Sequence, residues 1–252
     1  MRLFGLIGKT LSHSFSERYF AEKFRAEGIS DACYRLFELP TIEALPEFVA
    51  AHPDLRGFNV TIPYKESILP YLDALSPEAE AIGAVNCVKI EERRLVGYNT
   101  DCYGFRTSLE RFLGSARPER ALVLGTGGAH RAVCYALRQM GIAPTTVSRT
   151  TGKGDMTYAD IDAQTIGEHL LIVNCTPLGT TPRTEEAPAL PYHLIGAEHH
   201  IFDLVYNPSR TLLMRKCEAQ GAKSVCGYEM LALQADKSWQ IWASQTFRLE
   251  NE

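Results

Sequence analysis

The chain has 252 residues, enough for one large domain or two modest ones, each with a core that needs no staples. With 45% apolar and 22% charged residues it is neither fibrous nor intrinsically disordered in composition. A net charge of −4 leaves no basic footprint for nucleic acid, and no segment has the pattern of a basic membrane anchor.

The cysteines, at 33, 87, 102, 134, 175, 217 and 226, are odd in number and scattered, with no CxxC pair. That pattern argues against a disulfide framework and against a zinc site, and fits a reducing cytoplasm. The opening "MRLFGLIGKT" has too short an apolar run for a signal peptide, and nowhere do about 18 apolar residues follow one another. The expectation is a soluble cytoplasmic protein with no membrane or nucleic-acid partner.

In chain order, "RLFGLIG" predicts a strand, residues 16–28 a helix, "CYRLFEL" a strand, "IEALPEFVAAH" a helix and "GFNVTI" a strand, followed by a short helical run from Lys65. Such alternation predicts a mostly parallel sheet with helices on its faces. "AVNCVKI" and "LVGYN", separated by "EERR", predict a hairpin that closes this region as an antiparallel edge. Residues 103–113 form a linking helix, and a second alternating series starts with "RALVLG". It continues through "AHRAVCYALRQMG" as helix, "TTVSR", "LLIVNCT" and "HHIFDLVY" as strands, and "RTLLMRKCEAQG" as helix. The Pro-rich "TTPRTEEAPALP" is a loop. Residues 228–249 form a long amphipathic helix with Trp239, Trp242 and Phe247 available for burial.

"ALVLGTGGAHRA" places Gly125 and Gly127 after an apolar strand and before a helix, the context of a dinucleotide fingerprint. Glycine there permits a tight turn and close approach to a pyrophosphate, whose charge meets the helix N-terminus. The third glycine of the usual pattern is replaced by His130, which either crowds helix against strand or turns outward as a donor near phosphate. One strand later, "SRTTGKG" offers Arg149 and Lys153 with no carboxylate before Asp155. NAD sites place an acidic residue at that strand end, whereas a cation suits a 2′-phosphate, so NADP(H) is the expected cofactor.

Three polar signatures follow strand-like runs earlier in the chain: "SHSFS" at 12–16, "NVTIPYK" at 59–65, and "GAVNCV" with "GYNTD" between 83 and 101. In open α/β sheets ligand-binding loops gather at such places. Each has an ordinary structural reading. Ser14 and Glu17 match a capping box, Asn59 and Asn86 can satisfy buried backbone groups, and Asp101 can cap the helix at 103. Lys65 after Pro63 is either a solvated charge or a proton carrier. These readings leave the co-occurrence unexplained.

"SHSFS", "NVTIPYK", "GAVN", "GYNTD", "GTGGA", "SRT", "NCTPLG", "DLVYNP" and "GYEMLALQA", in that order and spacing, resemble the shikimate dehydrogenase family from about residue 5 to residue 242. The resemblance implies an α/β protein of two domains with an active-site cleft between them. Residues 1–102 with 227–252 would be an N-terminal substrate-binding domain with a mostly parallel sheet, and 103–226 a Rossmann-like NADP-binding domain. It implies reversible NADPH-dependent reduction of 3-dehydroshikimate to shikimate on the route to aromatic amino acids, by a monomer or homodimer. Carried onto this chain, Lys65 and Asp101 are the catalytic pair, with Lys65 as proton carrier and Asp101 as its orienter. Ser14 and Ser16 meet the substrate carboxylate, and Asn59, Thr61, Asn86, Tyr206 and Gln234 are further substrate contacts. Gly125, Thr126, Gly127, Gly128, Ala129, Ser148, Arg149, Thr150, Lys153, Thr176 and Gly227 are the cofactor positions, Gly227 beside the nicotinamide.

The chain departs from the family pattern at Cys87 in place of threonine after "GAVN", at Ser148 in place of asparagine in "NRT", and at Thr180 where methionine follows "NxTPxG". No metal is implied, since the seven histidines contain no HExxH and His199 and His200 face opposite ways along a strand. A quinate/shikimate dehydrogenase using NAD or NADP is the nearest rival, and the serine pair with Arg149 leans toward shikimate and NADP. A catalytically idle nucleotide- or substrate-binding relative would be expected to lack Lys65 or Asp101, and both are present.

Overall fold

The computed structural model describes residues 1–11 and 14–244. Ser12 and His13 of "SHSFS" and the end of the predicted last helix, Phe247 included, lie outside the described residues. The chain divides into two compact units, Met1–Thr100 with the described part of Gln234–Glu252, and Asp101–Leu233.

The first unit contains β1 (Arg2–Gly8), α1 (Ser16–Ala26), β2 (Ala32–Glu38), α2 (Leu45–Ala51), β3 (Leu55–Val60), α3 (Tyr64–Ser67), β4 (Ala74–Leu75), α4 (Pro77–Ile82), β5 (Cys87–Glu91) and β6 (Arg94–Tyr98). The sheet order is β2-β1-β3-β5-β6-β4. Strands β1, β2 and β3 are parallel, and β5 is antiparallel to both β3 and β6. The predicted hairpin is there, with Glu92 and Arg93 at positive φ in its turn, but it is not the sheet edge. The two-residue β4 pairs parallel with β6 and takes that place.

One sheet face packs Ile7, Leu45, Phe58, Tyr64, Ile68 and Val88 into a core. The other packs Phe4, Phe20, Phe24 and Tyr34 against Trp239 and Trp242 of the last helix. Phe20 stacks on Tyr34 at 4.3 Å, and Phe4 lies 5.0 Å from Trp242. Each such ring pair adds roughly 0.5–1.5 kcal/mol beyond its buried area. The Trp242 indole also donates to the Val88 carbonyl at 2.9 Å, so the helix is fixed in register as well as buried.

The second unit is built on α5 (Thr100–Leu113), β7 (Arg120–Leu124), α6 (His130–Gln139), β8 (Ala143–Ser148), β9 (Met156–Thr157), α7 (Ala163–Glu168), β10 (Leu171–Asn174), β11 (His200–Asp203), α8 (Leu212–Glu218), β12 (Lys223–Cys226) and the first part of α9 (Tyr228–Ala243). Helix α5 begins at Thr100, the last residue of the first unit's long segment, and α9 runs on into that unit. All strands of the second unit are parallel, in the order β12-β11-β10-β7-β8-β9. This chain-order pattern is that of the Rossmann fold, whose switch point lies between β7 and β10. The β8–β9 crossover, residues 149–155, carries no helix. β11 starts at His200, so His199 precedes the strand instead of alternating along it.

Among the described residues no helix is long and apolar enough to cross a membrane.

Candidate active site

In the first unit the loop after β1 is pinned before it reaches the serines. The Leu11 amide donates to Glu38 Oε1 at 2.7 Å, and the Ser14 amide to the Leu11 carbonyl at 2.9 Å. The capping box does not form: Phe15 is the N-cap of α1, and the Ser14 hydroxyl accepts the Ser16 amide at 3.2 Å. Both serines are therefore held next to each other at the C-terminal end of β1, half-buried.

The amide residues come together deeper in the same unit. Asn59 Nδ2 donates to the Asn86 carbonyl at 3.1 Å and to Ser238 Oγ at 2.9 Å, and Tyr34 Oη donates to Asn59 Oδ1 at 2.9 Å. Asn86 Oδ1 accepts the Thr100 amide at 2.6 Å, while Asn86 Nδ2 reaches Thr100 Oγ1 at 3.0 Å and Gln234 Oε1 at 3.4 Å. Ser238 closes the cluster by donating to the Gln234 carbonyl at 2.9 Å. Asn59, Asn86, Thr100, Gln234 and Ser238 are all buried, so their polar atoms depend on one another. The structural readings of the two asparagines hold too: Asn59 satisfies a backbone carbonyl, and Asn86 caps the first amide of α5.

Asp101 is not a cap. Helix α5 starts at Thr100, three residues earlier than the periodicity predicts, which puts Asp101 inside its first turn as a buried carboxylate. Thr61 is half-buried, its amide on the Ile7 carbonyl at 2.9 Å and its carbonyl accepting the Tyr64 amide at 2.9 Å, so the chain turns immediately after β3. Lys65, the second residue of α3, is half-buried, and its carbonyl accepts the Val85 amide at 2.8 Å.

In the second unit the loop between β7 and α6 has the shape that an anion cradle requires. Gly125 has φ +95°, and a Cβ there would come within 2.7 Å of the Thr176 methyl. Thr126 and Gly127 are not deeply buried, Gly128 and Ala129 lie on the approach to the helix, and Ala129 is the N-cap of α6. His130 follows neither predicted course. Its Nε2 meets Thr146 Oγ1 of β8 at 2.9 Å and Cys134 Sγ at 3.3 Å, so a hydrogen bond replaces the close glycine contact between helix and sheet.

At the end of β8 the Ser148 hydroxyl accepts the Thr150 amide at 3.1 Å. Arg149, Thr150 and Lys153 are exposed. Asp155 is drawn away from them: its carboxylate accepts the Thr146 amide at 2.7 Å and its own amide returns to the Thr146 carbonyl at 2.9 Å. The strand end is left with cations, the arrangement that fits a 2′-phosphate.

Thr176 is tied to Asn174 Oδ1 by its amide at 3.0 Å and its hydroxyl at 2.7 Å. Asn174 donates to Asp203 Oδ1 at 2.8 Å, and Asp203 also accepts the Val205 amide at 3.1 Å and the Thr211 hydroxyl at 2.6 Å. The loops after β10 and β11 are thus locked together through one fully buried carboxylate. Gly227, buried after β12, has no room for a Cβ, which would run into the Leu204 carbonyl. Tyr206 is half-buried, and burial raises its phenol above the usual value.

Burial also raises the Asp203 carboxyl, with the bonds from Thr211, Val205 and Asn174 offsetting only part of the effect. The folded state then holds this proton more tightly than the unfolded chain, whose carboxyl titrates near about 3.9. Asp203 therefore costs stability as pH rises from about 4 through its raised value, and the cost is absent below that window. In urea unfolding across pH, the stability of the wild type relative to Asp203→Asn is expected to fall over this window; a difference that stays flat with pH would contradict the assignment.

No group of three or more His, Cys, Asp or Glu that could hold a metal occurs among the described residues.

Residues 6–88 match the family model described as the shikimate dehydrogenase substrate binding domain. A shikimate dehydrogenase (NADP(+)) of Caldicellulosiruptor saccharolyticus is 38% identical over 99% of this chain and 97% of its own length. The chain belongs to the shikimate dehydrogenase family. The structure of the Thermus thermophilus shikimate 5-dehydrogenase in complex with NADP(H) and shikimate has a TM-score of 0.84 to it, with 35% identity over 96% of this chain and 94% of that one. A quinate dehydrogenase from Corynebacterium glutamicum in complex with NAD also has a TM-score of 0.84, at 27% identity over 96% of this chain and 93% of that one.

Set against the shikimate dehydrogenase pattern, the three departures are each absorbed locally. Cys87 is fully buried in the aromatic core around Phe20 and Trp242. Ser148 turns its hydroxyl into the β8 loop, and Thr180 shapes a turn, its amide on the Pro177 carbonyl at 3.1 Å and its carbonyl accepting the Arg183 amide at 2.9 Å. Several groups that hold the family's motif residues escape sequence reading. Thr100, Asn174 and Asp203 stand inside quoted motifs, so a signal existed. Tyr34, Ser238 and Thr211 stand in none.

Proposed function

We propose that this chain catalyses the reversible NADPH-dependent reduction of 3-dehydroshikimate to shikimate, in the cytoplasm. The observation that carries this reading is the buried cluster of Asn59, Asn86, Thr100 and Gln234, drawn from four distant segments in the unit that also holds Lys65 and the serine loop. Such a set of amides and hydroxyls suits a small polyhydroxylated ligand. The seven cysteines, all free thiols, support the reducing compartment.

On this reading most substrate contacts belong to the first unit and the cofactor contacts to the second. Ser14 and Ser16 hydrogen-bond the carboxylate, and Asn59, Thr61, Asn86, Gln234 and Tyr206 orient the ring. NADP(H) is held by the 125–129 turn at the start of α6, by Ser148, Arg149, Thr150 and Lys153 at the end of β8, and by Thr176 and Gly227; when bound, it supplies or takes the hydride. Lys65 stabilises the developing alkoxide and gives it a proton, and takes that proton back in the reverse direction. Asp101, fixed in the first turn of α5, orients the lysine and a substrate hydroxyl.

Mixing the purified chain with shikimate and NADP+ tests this: appearance of reduced nicotinamide, reversed by adding 3-dehydroshikimate, is the expected result. No reduction of cofactor with shikimate would overturn the reading. The likeness to a quinate dehydrogenase bound to NAD keeps quinate as the second substrate to try.

A further inference from the structure

The hydrogen bonds around Asn59 have a forced direction. The Asn86 carbonyl can only accept, so the edge of the Asn59 amide that faces it at 3.1 Å must be the NH2. The same nitrogen gives its second proton to Ser238 Oγ at 2.9 Å. Ser238 in turn donates to the Gln234 carbonyl at 2.9 Å, so its oxygen is an acceptor toward Asn59. The other edge of the amide is therefore Oδ1, and Tyr34 Oη is the donor to it at 2.9 Å. Both Asn59 protons are spent inside the protein. What Asn59 keeps for a ligand is one lone pair on Oδ1, at a residue with 5% of its surface exposed.

We infer that Tyr34 and Ser238 are positioning residues that lock the Asn59 amide with its oxygen toward the ligand, so that Asn59 recognises one substrate hydroxyl as a hydrogen-bond donor. This rests on the shikimate reading above. A flipped amide would set Oδ1 against the Asn86 carbonyl, and a carbonyl or ether at that place on the ligand would set two acceptors together. The lock lies outside the family's motifs: Tyr34 comes from β2 and Ser238 from α9. It also explains why a phenol is buried there, since its ring is already held on Phe20.

Tyr34→Phe keeps that ring and deletes the hydroxyl, which donates to Asn59 and also hydrogen-bonds Ser16. With the amide no longer held from both edges, KM for shikimate is expected to rise about five- to tenfold, the scale of one neutral hydrogen bond, with kcat within about twofold. A series of shikimate analogues, each lacking one ring hydroxyl, separates positioning from general loosening. In the wild type every deletion costs kcat/KM; in Tyr34→Phe the penalty for one particular hydroxyl shrinks and the others persist. Ser238→Ala, which removes the partner of Nδ2 at a fully buried site, should reproduce that pattern for the same hydroxyl even if Tyr34→Phe fails to fold.

Unchanged KM and analogue penalties in a folded variant would overturn the inference, as would penalties that shrink together for every hydroxyl. A wild-type chain that turns over no shikimate would instead overturn the functional reading beneath it.

Discussion

Lys65→Ala is expected to lower kcat by about 100-fold or more in both directions, with a much smaller change in KM. The main chain around Lys65 is held by groups other than its ammonium. Tyr64 fills the core on one side, with its hydroxyl on the Leu39 carbonyl at 2.6 Å, and the Lys65 main chain is fixed through its own carbonyl to the Val85 amide. A half-buried lysine with no part in proton transfer would leave kcat within a few-fold of wild type, and that result would remove Lys65 from the mechanism. Asp101→Asn is expected to act in the same direction through loss of orientation, in a group already buried and less forgiving of change.

Arg149→Ala is expected to raise KM for NADPH by about 10- to 100-fold while leaving KM for NADH nearly unchanged, the range that corresponds to losing charge-assisted hydrogen bonds. The loop that carries it is shaped by its backbone: Ser148 Oγ takes the Thr150 amide, Lys153 closes onto the Thr150 carbonyl at 3.2 Å, and Asp155 clamps back onto Thr146. Removing the guanidinium thus deletes the proposed phosphate contact and not the loop. Because Arg149 and Lys153 are exposed, the preference for NADPH should also weaken as ionic strength rises. Equal losses with the two cofactors would refute contact with the 2′-phosphate.

Much of this was legible because apolar runs and chemistry alternate along the chain. Each parallel strand is a short buried run followed by a polar loop, so both the α/β class and the places to look for ligands could be taken from the pattern. Short elements were harder. "SPEAEAIG" holds a full helix in outline, with Ser76 accepting the Ala79 amide, Pro77 at the first position and Gly83 left-handed at the end, yet its few residues give too short a period to stand out. The two-residue strands β4 and β9 have no sequence signature, since sheet edges are set by what the neighbouring strand leaves unpaired.

The site divided in the same way. The loop residues proposed to touch ligands could be picked out because polar groups are conspicuous after a hydrophobic strand. Their holders could not: Tyr34 sits within an ordinary strand and Ser238 within an ordinary helix, and only the fold brings them to Asn59. His130 shows the limit from the other side. The sequence marks it as an exception to glycine, but its turn inward to Thr146 depends on a threonine placed opposite it by the β8 register.

The most direct test of the account compares kcat/KM for four pairings, shikimate or quinate with NADP+ or NAD+. Shikimate with NADP+ should be highest, and exchanging either component should lower it. Preference for quinate with NAD+, or turnover with none of the four, would contradict the account.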